Sequence, residues 1–536
     1  MNVHLLYRDR DFDLDASLPA NAQTLTEDLD LNTLLGAMAQ GDPYLFKVGQ
    51  VALFHSLEDP QAIRYRQGIL RDCLVHPQLA RELYDLTVDA LEAERKIYFG
   101  IFGFSSQYPD STMLSAVRVL KVYVQRLERL REIADRHAHE FTSEGFTTLF
   151  AMIQRELDDE YLQTVREQLD ELGGEGAVRV SAQLGRGANA VAYRLHRRRT
   201  RGRGIVQRIT ALASRSEYTY RIADRDEQGA RMLGEMRGRA INEAANTAAQ
   251  SAEHIQGFFK LLRAELGLYI GALNLHEQLT VLGEPTCLPE PLSAGERTLV
   301  ARGLYEPCLV LRIDGRVVGN DIDGGDRPLV VITGANQGGK STFLRSAGIA
   351  QLMTQCGLLA PAESLTVNVC AGVFTHFKRE EDAGMQSGKL DEELARMSEI
   401  AELARPNSLV LFNESFAATN EREGSQIARQ IIAALLDTGS RAMLVTHMFA
   451  LAGGLHADAQ QRALFLRAER EQDGTRTFRL AKAPPLPTSY GPDVYQRVFA
   501  DNRGHGVPAP AVGMPDGHGV PAPAVGMPDG QVTGSP

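Results

Sequence analysis

The chain has 536 residues, room at about 150 residues per domain for roughly three to four domains and several buried cores. Its composition, 43% hydrophobic and 23% charged with 49 Gly and 23 Pro, excludes collagen, mucin and a coiled-coil rod. The 57 Lys and Arg against 68 Asp and Glu, a net charge of -11, exclude a polycation that coats nucleic acid indiscriminately, so any nucleic-acid contact has to be local.

The five cysteines, Cys73, Cys287, Cys308, Cys356 and Cys370, are scattered and form no C-x-x-C pair. That usage predicts reduced thiols rather than a disulfide framework or a zinc site. Charges interrupt the N-terminal stretch where a signal peptide needs an apolar run, and no run of about 18 apolar residues follows. The expectation is a cytoplasmic protein with no membrane span.

Residues 1–50 are mixed in pattern and end on the turn signal Gly41-Asp42-Pro43, so they read as a leading segment of undefined structure. Helical spacing dominates from 51 to about 172. Between Met113 and Phe141, Val117, Leu120, Val124, Leu127 and Ala134 recur at threes and fours, which predicts one long amphipathic helix. Phe146, Leu149, Ile153 and Leu157 continue the pattern until Gly173-Gly174 stops it.

From 176 to 225 the period becomes two, at Val178 and Val180 and again at Tyr218, Tyr220 and Ile222, which predicts a small β insertion. Helical spacing returns from about 226, through Ile255, Phe259, Leu262, Leu266, Ile270 and Leu273, to about Leu282. From 296 to 500 short β-branched runs, Leu309–Ile313, Leu329–Thr333, Leu409–Phe412 and Ala442–Thr446, alternate with helical stretches, the pattern of a parallel sheet with crossover helices. At the end, HGVPAPAVGMPDG at 505–517 recurs unchanged at 518–530. A Pro/Gly/Ala tail of this kind, 501–536, buries no core and reads as disordered.

The strongest chemical signal is G-x-x-x-x-G-K-[ST] at Gly334–Thr342, placed after an apolar strand and before a helical pattern. Gly334, Ala335, Asn336, Gln337, Gly338 and Gly339 form a loop whose backbone N–H groups can turn toward nucleotide phosphates at a helix N-terminus. Lys340 would pair with the β- and γ-phosphates of ATP, and Ser341 would offer its hydroxyl to Mg2+. Downstream, the strand Leu409–Phe412 runs into Asn413-Glu414, where a nucleotide hydrolase carries Asp-Glu. Glu414 can orient and polarise the attacking water; Asn413 offers only a neutral oxygen, which predicts weaker metal holding and slow turnover. The run Ala442–Thr446 delivers His447 at a strand's C-terminal end, where a donor can reach a γ-phosphate.

These three segments, with Asn336 inside the loop, Ala360-Pro361, the Thr419-Asn420 and Glu423-Gly424 pairs, and Thr446-His447 with Phe449, resemble the ATPase domain of MutS-type DNA mismatch-repair proteins. The resemblance over 51–295 is to that family's helical core and lever. It implies a multidomain fold: an all-α, long-helix body with a β insertion, then an α/β P-loop ATPase domain of the ABC/MutS type. It also implies a homodimer that closes on ATP, with Asn336 near the γ-phosphate, Glu414 as the catalytic acid, and His447 as the nucleotide-sensing histidine. Glu423 and Gly424 would lie on the loop that crosses the dimer interface. Ser387, Gly388 and Lys389 would form the signature segment contributed in trans, although Asp391, Glu392 and Glu393 can equally open an ordinary helix.

Only about 50 residues precede the helical region, so the family's mismatch-reading and connector domains are expected to be missing. The insertion carries Arg194, Arg197, Arg198, Arg199, Arg201 and Arg203, six arginines in ten residues with no acid among them. They suit phosphate contacts to DNA, where the family has its clamp, or form a solvated basic loop. Two functions are therefore expected to compete: an ATPase coupled to DNA binding in repair or recombination, and a nucleotide-switched scaffold that recruits a protein partner.

Overall fold

The computed structural model describes residues 1–101, 109–173, 180–184, 190–195, 227–313, 316–379, 388–459, 462–471 and 475–486. Residues 196–226, with five of the six arginines, residue 387 and the repeat tail lie outside the described residues.

The N-terminal fifty residues depart from expectation. They contain helices α1 (Ala22–Asp28), α2 (Leu31–Ala39) and most of α3 (Pro43–Phe54), so the expected limit at residue 50 falls inside a helix. The helices are short, and two left-handed residues, Asp30 and Gln40, bracket α2, which hides the period from a window of ordinary length. Asp42 and Pro43 then start α3, the carboxylate accepting from Tyr44 N while proline occupies a position whose N–H would be unpaired. The turn signal is a helix start.

Residues ahead of α1 are threaded between two helices. Tyr65 and Arg66 of α4 (Pro60–Val75) reach the carbonyls of His4 and Leu6. Glu265 and Tyr269, on a long helix later in the chain, take the amides of Leu5, Leu6 and Phe12 and the carbonyl of Leu5. Arg66 also donates to Cys356 O at 3.1 Å, at the far end of the helix that starts at Lys340.

Helices α5 (Pro77–Ile101), α6 (Pro109–His137), α7 (Glu144–Glu156) and α8 (Asp159–Gly173) complete the first half of the body. All five predicted core positions of α6 are buried, as are Phe146, Leu149, Ile153 and Leu157. The insertion begins as an antiparallel hairpin, β1 (Val180–Leu184) with β2 (Ala190–Leu195). The chain returns in α9 (Glu227–Val281), 55 residues or about 80 Å at 1.5 Å per residue. Phe259, Leu262, Leu266, Ile270 and Leu273 of α9 are buried against the other helices. Among the described residues no helix is long and apolar enough to cross a membrane.

The second half has two sheets. The smaller joins β3 (Glu290–Leu292), β7 (Ser364–Asn368), β4 (Leu299–Leu304) and β5 (Asn320–Asp323) in that spatial order. Because β3 precedes residue 296, this sheet starts ahead of the expected boundary. The run Leu309–Ile313 is not a strand. Glu306 caps Cys308 N and Leu309 N, Pro307 sits at the first helical position, and the result is the single turn α10 (Pro307–Val310).

The larger sheet runs β12 (Arg476–Lys482), β11 (Ala463–Arg470), β6 (Leu329–Gly334), β10 (Arg441–Val445), β9 (Leu409–Asn413), β8 (Val373–Phe377). All neighbours are parallel except β12 on β11. Alternation along each strand divides the core in two. Val330, Ile332, Leu411, Met443 and Val445 face α11 (Lys340–Cys356) and the helical body, in one apolar cluster that starts at Val3. Leu329, Val331, Val410, Phe412 and Leu444 face the other way, with Ile432 of α13 (Glu421–Asp437) and Leu451 of α14 (Phe449–Ala459). The expected domain limit at 295 and 296 therefore marks a change of secondary structure and not a break in packing. Gly348 carries that contact: a Cβ there would lie 2.6 Å from Leu411 Cδ1 and 3.2 Å from Leu29 Cδ2.

Candidate functional site: a phosphate-binding loop between three strand ends

β6 lies between β11 and β10 in the parallel set, and its C-terminal end opens into the loop that starts α11. Ligands of open α/β sheets lie in the crevice beyond the carboxyl ends of the strands. Gly334 has φ 109° and Gly339 φ 84°, conformations that side chains other than glycine rarely adopt. Gly338 is fixed by space instead, since a Cβ would meet Ala468 Cβ at 2.8 Å and Ala335 O at 2.9 Å. The loop is thus pressed onto β11, and its backbone N–H groups are left for an anion at the N-terminus of α11.

Lys340 is buried, and its ammonium donates to Gly334 O at 3.0 Å and Ala335 O at 2.9 Å. Burial lowers its pKa, Glu414 opposes that shift, and the positive charge of Arg476 adds to it. Ser341 Oγ donates to Asn413 Oδ1 at 2.8 Å, which joins the loop to the end of β9.

Sheet register brings the remaining groups in. Val445 pairs with Asn413, Glu414 N donates to Val445 O at 2.9 Å, and Thr446 N donates to Ile332 O at 3.2 Å. Glu414 and His447 are therefore delivered by adjacent strands, with His447 Nδ1 3.8 Å from Glu414 Oε2. Glu414 has φ 53° and Phe416 φ 61°, each a left-handed conformation costing about 1–3 kcal/mol in a residue other than glycine. Packing holds the bend: the buried Phe416 ring stacks on His376 at 5.0 Å, and Ser415 Oγ donates to His376 O.

Asn336 to Thr342, Glu414 and His447 line one cavity of about 380 Å³. Gly334 and Ala335 close its base through the bonds to Lys340. Among the described residues no group of three His, Cys, Asp or Glu side chains is placed to hold a metal ion. A hard divalent cation takes oxygen ligands, preferably charged. Beside Ser341 the protein supplies an amide oxygen instead, and among the described residues Glu414 is the one acid in the lining. The set fits a Mg2+ carried mainly by a nucleotide's own phosphates and does not fit one held by protein carboxylates.

Other expected site residues fall differently. Glu423 and Gly424 are not in a loop; they sit in the first turn of α13, which Asn420 caps by accepting from Glu423 N at 3.0 Å. Glu423 is exposed and accepts from Thr419 Oγ1, which lowers its pKa. Gly424 is buried because a Cβ would come within 2.3 Å of Phe416 O, so it seats the bend after Glu414. Gly388 and Lys389 begin α12 (Lys389–Leu403), with Asp391 and Glu392 in its first turn, and they do not line the cavity. Arg194 is the next-to-last residue of β2, paired with Ser181; Arg197, Arg198, Arg199, Arg201, Arg203 and Ser387 lie outside the described residues.

Two residues of β12 had no signal in the sequence. Arg476 Nε donates to Asn336 O at 3.2 Å, across the crown of the loop. Phe478, half-exposed with φ 58°, is held by Asn320, which donates to Phe478 O at 3.1 Å and accepts from Leu480 N at 2.7 Å. Phe478 forms one wall of a second hollow, about 270 Å³, with Tyr305, Val317, Val318, Thr342 and Phe343. Only the strand order β12-β11-β6 places these residues beside the loop.

Residues 58–282 match the family model described as MutS2 N-terminal domain, and 330–502 match that described as MutS domain V. The chain is 30% identical over 148 residues to the DNA mismatch repair protein MutS of Clostridium kluyveri, covering 27% of this chain and 17% of that protein. It is 32% identical over 160 residues to the Endonuclease MutS2 of Lacticaseibacillus casei, 30% and 20% of the two chains. With the DNA mismatch repair protein MutS of Chloroflexus aurantiacus the identity is 28% over 254 residues, 46% and 26%. The matched stretches thus span about a quarter or less of these relatives' own lengths.

Proposed function

This chain belongs to the MutS family, and from that premise we propose that it binds and hydrolyses ATP and couples the cycle to DNA in repair or recombination. The observation that carries the reading is the convergence of Lys340, Ser341, Glu414 and His447 on one cavity at the carboxyl ends of three parallel strands.

The phosphates of ATP lie on the loop amides at the N-terminus of α11, with the ammonium of Lys340 turning from Gly334 O and Ala335 O toward the β- and γ-oxygens. Glu414 orients the attacking water and takes its proton, and His447 donates to a γ-phosphate oxygen. Mg2+, where bound, neutralises phosphate charge beside Ser341 and Asn413. The adenine takes the hollow against Phe478, whose ring face is open to stack on it while Val317 and Val318 exclude water.

Closure of a homodimer brings Ser387, Gly388 and Lys389 of the signature segment, and the surface near Glu423, toward the other subunit's nucleotide. DNA is held by the arginines at 194–203. The long helix α9 follows that insertion and packs on the body against which α11 is seated, so it would link the two.

Fluorescence anisotropy with a labelled duplex tests the DNA limb. The full chain is expected to bind at low salt, with affinity falling steeply as salt rises because phosphate contacts release counterions. The combined variant R197E, R198E and R199E should lose duplex binding by about 100-fold or more while keeping its nucleotide affinity. Equal duplex affinity in that variant would remove the cluster from the function. If the unsubstituted protein binds no DNA at low salt, the reading gives way to a scaffold that recruits a protein.

A further inference from the structure

We propose that this site takes its nucleoside triphosphate with little dependence on a divalent cation, because an amide stands at 413 and Arg476 lies over the loop. The inference rests on reading the cavity as a nucleotide site and specifies the form in which the ligand binds.

A P-loop site needs a metal for two reasons that can be separated. The triphosphate is highly charged, and a protein carboxylate at the end of a nearby strand repels it unless a cation stands between them. In this chain the charge at that position is absent, which leaves Glu414 as the acid in the described lining. Asn413 presents a neutral oxygen, already engaged by Ser341 Oγ at 2.8 Å, so hydroxyl and amide satisfy each other without an ion. The backbone of Asn413 is fixed as well, paired with Val445 and Phe377 and accepting from Lys378 N at 2.9 Å. That pairing fixes the backbone from which the amide reaches Ser341. Glu414, the remaining acid in the lining, is turned by its left-handed backbone toward His447.

Positive charge is correspondingly greater. Lys340 approaches the phosphates from the helix end of the loop. Arg476 approaches from β12, its Nε bonded to Asn336 O at 3.2 Å, with its guanidinium near enough to act on the Lys340 ammonium. Arginine is always charged and forks onto phosphate oxygens. Two fixed cations, the α11 N-terminus and a neutral 413 together do the screening otherwise left to the metal.

The test is equilibrium binding of ATPγS to the full chain, once in Mg2+ and once in EDTA. The unsubstituted protein is expected to show affinities within about threefold of each other, whereas N413D should bind about tenfold or more weakly in EDTA than in Mg2+. R476Q is expected to lose about fivefold or more in EDTA and less than about twofold in Mg2+. A loss of about tenfold or more in EDTA by the unsubstituted protein, unchanged in N413D, would overturn the inference and leave the nucleotide site standing. Equal losses for R476Q under both conditions would overturn the part given to Arg476. No binding of ATPγS under either condition would overturn the nucleotide site itself, and the inference with it.

Discussion

Glu414→Gln is expected to lower ATP turnover by about two to four orders of magnitude, the contribution of a positioned general base, while nucleotide affinity changes little. The substitution is isosteric and keeps the backbone bend that Phe416, Ser415 and Gly424 enforce. An amide can still hold a water molecule but cannot accept its proton. Lys340 and the loop amides, which would hold the phosphates, are untouched. Single-turnover hydrolysis beside equilibrium nucleotide binding separates the two quantities. Turnover unchanged to within about threefold would take the role of base away from Glu414.

Stability falling as pH rises from about 5 to 8 is the second large effect, with Glu265 as its source. This carboxyl lies on α9 and accepts from Leu5 N, Leu6 N and Phe12 N. Burial raises its pKa from 4.5 to about 7, and the three backbone donors only partly offset that rise. The folded state therefore binds the proton more tightly than the unfolded chain does. The stability linked to that proton is complete below the ordinary value of 4.5 and is lost as pH climbs through about 7, a change of about 3 kcal/mol at 1.36 kcal/mol per pKa unit. Glu265→Gln keeps an acceptor for part of the N-terminal segment and removes the titration, so its melting temperature should vary less across this window. Parallel pH profiles for the two proteins would assign the dependence elsewhere. Because Glu265, Tyr269 and Arg66 hold the same few residues, loosening is expected to begin at residues 4–12 and to appear there first in amide exchange.

The same contacts show where sequence reading stops. Helices α6 and α9 were legible because their apolar positions recur over many turns, and the loop at Gly334–Thr342 because its chemistry is confined to nine consecutive residues. Residues 1–50 were not. Their helices are short, and the burial of Leu5 and Leu6 is decided by side chains about 60 and 260 positions away. Leu309–Ile313 has strand composition, yet Glu306 and Pro307 start a helical turn through capping, which a β-branched run conceals. Glu423-Gly424 matched an interface loop by motif. Its glycine is required by a carbonyl of the same chain, Phe416 O, and such a contact has no local signature. Arg476 and Phe478 became visible only through strand order, because β12 reaches the phosphate loop by pairing with β11, which in turn pairs with β6.

The central claim joins the cavity at the strand ends to DNA, and steady-state ATP turnover of the full chain tests both at once. Turnover is measured alone and with single-stranded, perfect duplex, mismatched and branched DNA, with Glu414→Gln as control. At least one class of DNA is expected to stimulate turnover severalfold, and the control to lose that stimulation. Turnover indifferent to every DNA, with none bound at low salt, would contradict the central claim.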